Sequence, residues 1–436
     1  MKLILKNSHA LTAVAAGLAT FVLAPTVFAQ VGVCEALDLP GVKLFGAGGS
    51  AVTPTLAQIA EGLANLPEEE RINIFYADGK AACGGLAYWQ GTDTTVATYK
   101  YWNEAGAVLQ CTDSPSLVKF AHMGNTPALC PGNPSLADGT NKIVAPVMTL
   151  DFITHYDSTQ RSISQEALYY ILGLGAGTVG REVAPWTNLN AIFGRTLSSF
   201  VAQFASGAIG VPAASFKIIN DTSHLFQQNS QVVAAVTGWA DPEEALGFVS
   251  GSNATKGYSD LQTRTLAYQH GDQTCAYLPD SEEGKPDRAN VRSGQYYIWT
   301  PAWFYTEVDS ANLPVDENVR KLVGWFDGSI ETPAGYATSF YKTTPDEIEV
   351  NNIQETIVLA GDVPLCAMHA MRFQGDFSAI ESYAPENPCN GWYEDIALGA
   401  PTHQTCDVST QCDGYEEDDD GDPTGEQCRF GFCEAY

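Results

Sequence analysis

Two short segments place small hydroxyl residues directly before apolar patterns with helical spacing. The first is the glycine-rich turn at residues 46–50 (GAGGS), and the second is residues 195–199 (RTLSS), which adds an arginine. A helix N-terminus presents unpaired N–H groups and a partial positive charge, and arginine binds oxyanions through two parallel hydrogen bonds. If the two segments converge, they form a site for a tetrahedral oxyanion. Each segment alone is better explained by an ordinary capping serine and a surface arginine.

Other patterns that carry chemistry are missing or stand in the wrong context. Residues 175–180 (GAGTVG) match the dinucleotide-binding pattern G-x-G-x-x-G, but a helical pattern precedes them and residues 181–186 do not predict a following helix. The sequence contains no G-x-S-x-G, H-E-x-x-H or Walker motif. The histidines after the predicted signal peptide do not have the spacing of metal ligands. They are His122, His155, His224, His270, His369 and His403. We therefore predict no enzyme, no catalytic residue, no metal and no cofactor.

The chain has 22 Lys and Arg residues against 51 Asp and Glu residues, which gives a formal net charge of -29. This balance argues against nucleic acid or an anionic membrane surface as a partner. Residues 1–29 combine two lysines, an apolar stretch and small residues at Val27 and Ala29, which predicts a signal peptide cleaved before Gln30. A membrane anchor is the alternative, but Pro25 interrupts a short apolar run. We expect a periplasmic or extracellular protein without membrane insertion.

Eleven cysteines follow the predicted signal peptide, and in an exported protein they favour disulfides over metal thiolates. The odd number leaves one thiol free or paired between chains. Cys111 with Cys130 is a plausible local pair. The last four cysteines are spaced C-x5-C-x15-C-x4-C, whereas a zinc knuckle needs close C-x2-C pairs. The acidic run at residues 416–422 lies among them, and its consecutive carboxylates favour a solvated stretch over a calcium loop.

Strand and helix patterns alternate along the chain, which predicts an α/β protein. The apolar runs predict strands at residues 42–45, 72–76, 118–123, 143–153, 232–236, 246–249 and 296–299. Helices are predicted to begin at Thr53 with Pro54, after Ser164, and after Ser199, the last ending at Gly207. From residue 401 the apolar periodicity stops, so residues 401–436 are predicted to form a small disulfide-rich appendage.

The order of these elements resembles the substrate-binding proteins of phosphate ABC transporters, and especially a divergent secreted branch with extra cysteines. The matching segments include residues 46–56 (GAGGSAVTPTL), 74–85 (IFYADGKAACGG), 183–199 (VAPWTNLNAIFGRTLSS) and 290–304 (NVRSGQYYIWTPAWF). The resemblance implies the type II periplasmic binding fold, a two-lobed clamp with the ligand between its lobes. Residues 30–142 and 250–400 would form the first lobe with a C-terminal extension, and residues 143–249 the second. An ABC transporter permease would be the partner.

The resemblance also implies a set of ligand-binding residues, which are Ser50, Ala51, Gly124, Asn125, Thr126, Arg195, Ser198 and Ser199. Two departures from the family pattern stand out. Phe200 and Val201 follow Ser199, where family members usually continue with glycine and threonine, and Asn125 replaces a carboxylate. A carboxylate accepts the proton of hydrogen phosphate and rejects sulfate, which has no proton to offer. With Asn125 in its place, selection between the two ions loses its predicted basis.

The predicted function is therefore the binding of phosphate or a related small oxyanion outside the cytoplasm. The alternative is an extracellular structural or adhesive protein that keeps the fold without a working anion pocket. The altered loop after Ser199, the cysteine-rich tail and the spare cysteine support that alternative. A phosphoesterase has the least support, because no nucleophile with a neighbouring base can be identified.

Overall fold

The computed structural model describes residues 32–130, 132, 134–137, 139–341, 347–416 and 424–435. The predicted signal peptide at residues 1–29 and its cleavage site lie outside the described residues. So does the acidic run after Glu416. No helix in the described part of the chain is long and apolar enough to cross a membrane.

Strands and helices alternate through most of the described chain. The strands are β1 Val42–Gly48, β2 Ile72–Ala77, β3 Ala97–Trp102, β4 Val108–Asp113, β5 Val118–Met123, β6 Thr140–His155, β7 Ser162–Ser164, β8 Ile192–Arg195, β9 Leu225–Phe226, β10 Leu246–Ser250, β11 Thr263–Thr265, β12 Ala267–Gln269, β13 Trp299–Glu307, β14 Thr338–Tyr341, β15 Glu347–Val350, β16 Ala370–Met371, β17 Glu381–Ser382, β18 Gln427–Arg429 and β19 Phe432–Glu434. The α-helices are α1 Thr53–Ala64, α2 Ala81–Trp89, α3 Gln165–Leu168, α4 Phe200–Ile209, α5 Asn229–Thr237, α6 Gly251–Ser259, α7 Ala289–Arg292, α8 Glu317–Asp327, α9 Ile353–Leu359 and α10 Asn390–Leu398.

The long strand β6 joins two groups of strands into one mixed sheet. The order across the sheet is β4-β3-β2-β1-β5-β13-β6-β10-β8-β9, with β11 also on β6. The first part of β6 pairs with β13, and its last residues pair with β10 and β11. Each group contains three neighbouring parallel strands, β2-β1-β5 in one and β10-β8-β9 in the other, while β3 and β4 are antiparallel. The predicted α/β class is confirmed, and the long strand predicted at residues 143–153 is the centre of β6.

Several predicted elements are observed with shifted boundaries. α1 begins at Thr53, but its N-cap is Val52 and not Thr53, and no side chain caps it. The strand predicted at residues 232–236 is wrong, because this segment lies in α5, which buries Val232, Val233 and Val236 on one helical face. The strand predicted at residues 296–299 starts only at the last of these residues, where β13 begins. Ser164 does cap its helix, since its side chain accepts a hydrogen bond from the N–H of Ala167.

α4 ends at Gly210 and not at the predicted Gly207. Gly210 has φ of 71°, the left-handed conformation that glycine adopts at helix C-termini without strain. Gly207 serves packing instead, because a Cβ there would lie 2.0 Å from Cε2 of Phe377. Glycine at residue 207 therefore lets this ring lie directly against α4.

The disulfides confirm the predicted oxidised cysteines and correct one pairing. Cys111 bonds to Cys34 and Cys130 bonds to Cys83, so the predicted local pair does not form. The backbone explains this, because the N–H of Cys34 donates to the carbonyl of Thr112 and so lies beside β4. The remaining pairs are Cys366–Cys389, Cys406–Cys428 and Cys412–Cys433. Cys275 is free and exposed.

The last two disulfides hold the hairpin of β18 and β19, which confirms the predicted C-terminal appendage. Sulfur atoms of Cys406, Cys412 and Cys433 lie within 4.8 Å of one another, close enough to suggest a metal site. Each of the three is bonded to another sulfur, however, and a metal ligand must be a thiolate. The cluster is therefore a small core of cystines.

A buried carboxyl group under α1 makes the stability of the fold depend on pH. Asp362 is almost fully buried and accepts a hydrogen bond of 2.8 Å from Oγ1 of Thr55. Burial raises its pKa to about 7, against an ordinary value of about 4. The native state thus keeps a proton that the unfolded chain releases between about pH 4 and pH 7. Its contribution to the free energy of unfolding falls as the pH rises through that window.

We expect Asp362→Asn to stabilise the protein relative to the wild type more at pH 8 than at pH 5, because an amide never has to ionise. Urea denaturation at the two pH values measures this difference. Asp309→Asn is the control, since hydrogen bonds from the N–H groups of Leu313 and Ala311 lower the pKa of this exposed carboxyl. Its effect should not change between pH 5 and pH 8. An effect of Asp362→Asn that is equal at both pH values would refute the role of burial.

Candidate functional site

A cavity of about 260 Å³ lies where the carboxyl ends of strands from both groups meet. Ligands of open α/β sheets bind at this edge, because the loops there bring helix N-termini and side chains together. The loops after β1, β2, β8 and β9 and the start of α4 contribute to its wall. The lining residues are Gly49, Ser50, Ala51, Asp78, Gly79, Ala81, Ala82, Lys100, Arg195, Thr196, Ser199, Phe200, Val201, Gln227 and Gln228.

Arg195, the last residue of β8, is held at the cavity by hydrogen bonds from two of its nitrogens. Its Nε donates to the carbonyl of Phe226 at 3.1 Å, and Nη2 donates to the carbonyl of Gln227 and to Oγ of Ser50 at 3.2 Å. The residue is only 4% exposed. Burial lowers its pKa to about 10, which Asp78 opposes, so the guanidinium stays charged at neutral pH. Nη1 makes no hydrogen bond within the described part of the chain and can donate to a ligand.

Ser199 positions the N-terminus of α4 at the cavity. Its backbone is extended, with ψ of 151°, and its Oγ accepts a hydrogen bond of 3.2 Å from the N–H of Ala202. The N–H groups of the first helical turn have no partner within a helix, and here Phe200 and Val201 line the cavity beside Arg195. The partial positive charge of this helix end therefore adds to that of the guanidinium.

Ser50 and Ala51, which the sequence predicts as ligand-binding, line the cavity opposite α4. The turn that carries them follows β1, where the N–H of Gly49 donates to the carbonyl of His122 at 3.2 Å. Packing of α2 against this turn needs a glycine at residue 85, because a Cβ there would lie 2.4 Å from Cα of Gly48. The turn and α2 thus form one wall, and Ser50 reaches Arg195 from it.

The predicted residues Gly124, Asn125, Thr126 and Ser198 do not line the cavity. Ser198 is exposed, and Gly124 lies under the ring of Phe200. Asn125 is fully buried and its Nδ2 donates to the carbonyl of Thr126 at 3.0 Å. Thr126 donates through its N–H and its Oγ1 to the carboxylate of Asp376, at 2.8 and 2.7 Å. The donors of this loop are therefore used inside the protein.

Asp78 and Lys100 are cavity residues that the sequence did not single out. Oδ2 of Asp78 accepts hydrogen bonds from Nζ of Lys100 at 2.6 Å and from Oγ1 of Thr53 at 3.2 Å. A signal for Asp78 was present, because it follows directly after β2, a parallel neighbour of β1 in the sheet. Lys100 belongs to the antiparallel strand β3, and only the pairing of Lys100 with Tyr76 brings it to this edge.

The cavity thus combines two cations, one carboxylate, a helix N-terminus and three hydroxyl residues. Arg195 and Lys100 outweigh the charge of Asp78, so the local balance is positive in a chain with a strongly negative net charge. Distant surface carboxylates are screened beyond about 8 Å at physiological ionic strength, so these neighbouring groups dominate. The arrangement can hold a small oxyanion and accept one hydrogen bond from it.

No protein-family model and no curated protein matches the sequence, but solved structures do. A Clostridium perfringens protein solved with bound phosphate is 12% identical, with a TM-score of 0.45 over 74% of this chain and 99% of that chain. An ABC-type phosphate transport receptor from Vibrio cholerae is 12% identical, with a TM-score of 0.43 over 73% and 99%. A human phosphate binding apolipoprotein is 12% identical, with a TM-score of 0.43 over 74% and 91%. These likenesses are distant, since each of the three proteins is only 12% identical to this chain.

Proposed function

We propose that the protein is a solute-binding protein that holds phosphate, or a related small oxyanion, between two lobes. Residues 30–142 and 250–400 form the first lobe in this proposal, and residues 143–249 form the second. The protein acts outside the cytoplasm, where its disulfides are stable. By the family resemblance, it delivers its ligand to an ABC transporter permease.

Arg195 is the observation that carries the proposal. A charged guanidinium that is 4% exposed, beside a helix N-terminus, is costly to bury without a counter-charge, and the two carbonyls that accept its hydrogen bonds carry none. No carboxylate of the described residues forms an ion pair with it. An oxyanion bound by Nη1, Oγ of Ser50 and the first turn of α4 would supply the missing charge.

Asp78 gives this proposal its selectivity. Hydrogen phosphate has a proton to donate to a carboxylate, whereas sulfate at neutral pH has none and would meet a charge of the same sign. The family resemblance places the selecting carboxylate at residue 125, where this chain has Asn125. In this proposal Asp78, directly after β2, takes the role of that carboxylate. We expect phosphate to bind more tightly than sulfate for this reason.

A thermal shift measurement on the mature protein tests the proposal, after dialysis to remove anions. Phosphate, arsenate, sulfate and a phosphonate are added in turn at millimolar concentration. A ligand at a hundred times its Kd should stabilise the native state by about 2.7 kcal/mol, which raises the melting temperature measurably. We expect the largest shift with phosphate or arsenate and little with sulfate.

The absence of a shift with every anion would refute the proposal and favour the structural or adhesive alternative. Asp78→Asn tests selectivity in the same assay, with Asp309→Asn on the surface as its control. Removal of the carboxylate should reduce the difference between the thermal shifts with phosphate and with sulfate, because the uncharged amide at residue 78 does not repel sulfate. An unchanged difference would show that Asp78 does not select the ligand.

A further inference from the structure

A second cavity of about 280 Å³ adjoins the first and shares four of its lining residues. Ser50, Asp78, Lys100 and Gln228 line both cavities. The two cavities therefore adjoin at these four residues, and the second lies where α1 and α5 begin. An inorganic oxyanion bound at Arg195 would lie in the first cavity, because Arg195 lines that cavity and does not line the second.

The two walls of the second cavity differ in chemistry. Ala57, Pro54, Trp102 and Val108 form an apolar wall, in which Trp102 is 4% exposed and Val108 is 55% exposed. Asn229, Ser230 and Asn253 contribute amide and hydroxyl groups to the rest, beside Gln228.

The polar wall is held in place by Ser250 at the end of β10. Its Oγ accepts hydrogen bonds from Nδ2 of Asn253 at 3.0 Å and from Nδ2 of Asn229 at 3.2 Å. These two amides are therefore fixed in orientation at the carboxyl edge of the second strand group. A pocket that pairs apolar surface with a few fixed polar groups is typical of a site for a small organic molecule.

We infer that the ligand is a phosphate monoester of a small sugar or polyol, with its phosphoryl group at Arg195 and its organic group in the second cavity. This inference rests on the proposed function and specifies the ligand class. The C–H groups of a sugar or polyol pack on Pro54 and Val108, the exposed residues of the apolar wall, while its hydroxyl groups face the amides of Gln228 and Asn253. The second cavity adds no cation beyond Lys100 at the shared boundary, which fits an uncharged organic group.

Isothermal titration calorimetry with glycerol 3-phosphate, glucose 6-phosphate and inorganic phosphate tests this inference. We expect at least one ester to bind the wild type about tenfold more tightly than inorganic phosphate, which corresponds to about 1.4 kcal/mol. Ala57→Phe fills the second cavity and should remove this advantage, while the affinity for inorganic phosphate stays unchanged. Ala311→Phe, in the exposed turn before α8 and away from both cavities, is the control and should alter neither affinity.

Ser230→Phe, at an exposed position on the other wall, is a second variant that fills the same cavity if Ala57→Phe does not fold. The inference would be overturned if inorganic phosphate bound as tightly as both esters and all three affinities were unchanged in the filled variants. The proposed function would still stand in that case. Failure of all three ligands to bind the wild type would overturn the proposed function and this inference with it.

Discussion

Arg195→Ala should weaken phosphate binding about a hundredfold, or about 2.7 kcal/mol, the size expected for loss of charge-assisted hydrogen bonds. The guanidinium is the buried cation of the first cavity, and its Nη1, which has no hydrogen bond within the described residues, is available to the proposed ligand. Titration calorimetry with phosphate measures the loss. Circular dichroism at increasing temperature shows whether the variant still folds. We expect it to fold, because water in the cavity can donate to the carbonyls of Phe226 and Gln227 in place of the guanidinium.

Two variants separate binding from general charge effects. Arg195→Lys keeps the positive charge but loses the planar fork, so its affinity should fall between those of the wild type and Arg195→Ala. Arg320→Ala removes an exposed arginine that is paired with Asp309 at 3.3 Å, and its affinity should equal that of the wild type. A folded Arg195→Ala protein that binds phosphate as tightly as the wild type would exclude Arg195 from the site.

Arg288→Ala should destabilise the protein by about 3–5 kcal/mol at neutral pH, the usual cost of breaking a buried ion pair. Arg288 is 2% exposed, and its Nη1 donates to both carboxylate oxygens of Asp280, at 3.1 and 2.9 Å. Its Nη2 donates to Oγ1 of Thr255 at 2.6 Å. The charge of Arg288 also stabilises the ionised form of Asp151, against a burial effect that raises the pKa of this carboxyl to about 6.

Urea denaturation at pH 5 and pH 8 measures this cost and its cause. Removal of the arginine leaves Asp280 and Asp151 without a counter-charge, which raises the pKa of both carboxyls in the native state. The loss of unfolding free energy should therefore be larger at pH 8 than at pH 5, because the unfolded chain ionises both carboxyls freely. Asp280→Asn added to Arg288→Ala should recover part of the stability, because it removes one buried charge.

Lys321→Ala is the control, since its pair with Glu317 at 3.1 Å on the surface of α8 contributes less than about 1 kcal/mol. A loss with Arg288→Ala no larger than this would contradict the role of the buried pair.

The elements around the cavity were predictable because their signals are local. The hydroxyl of Ser199 stands one residue before the apolar pattern of α4, and the cap hydrogen bond to Ala202 is made within that turn. The strands β1, β2, β5 and β6 are mostly apolar and mostly buried, as expected for strands that are covered on both faces. The misassigned segment at residues 232–236 is a short run rich in valine, a pattern that fits a buried strand and a buried helix face equally well.

The disulfide pairing depended on contacts between distant parts of the chain. Cys34 and Cys111 are separated by 77 residues, and they meet because residue 33 lies beside β4. The loop after β5 shows the same dependence, since its donors go to Asp376, 250 residues further along. Sequence spacing carries no information about either contact. The resemblance therefore predicted Asn125 as a ligand-binding residue, whereas the structure buries it in the interior.

The sequence by itself determined the α/β class, the oxidised cysteines, the disulfide-rich appendage and the two segments that meet at Ser50 and Arg195. Each of these follows from composition or from spacing within one element. Only the tertiary structure decided that Asp78 and Lys100 complete the cavity, and that a second cavity shares four of its lining residues. The reason is physical: a cavity is formed by side chains from strands and helices that sheet pairing brings together, and no single segment encodes that arrangement.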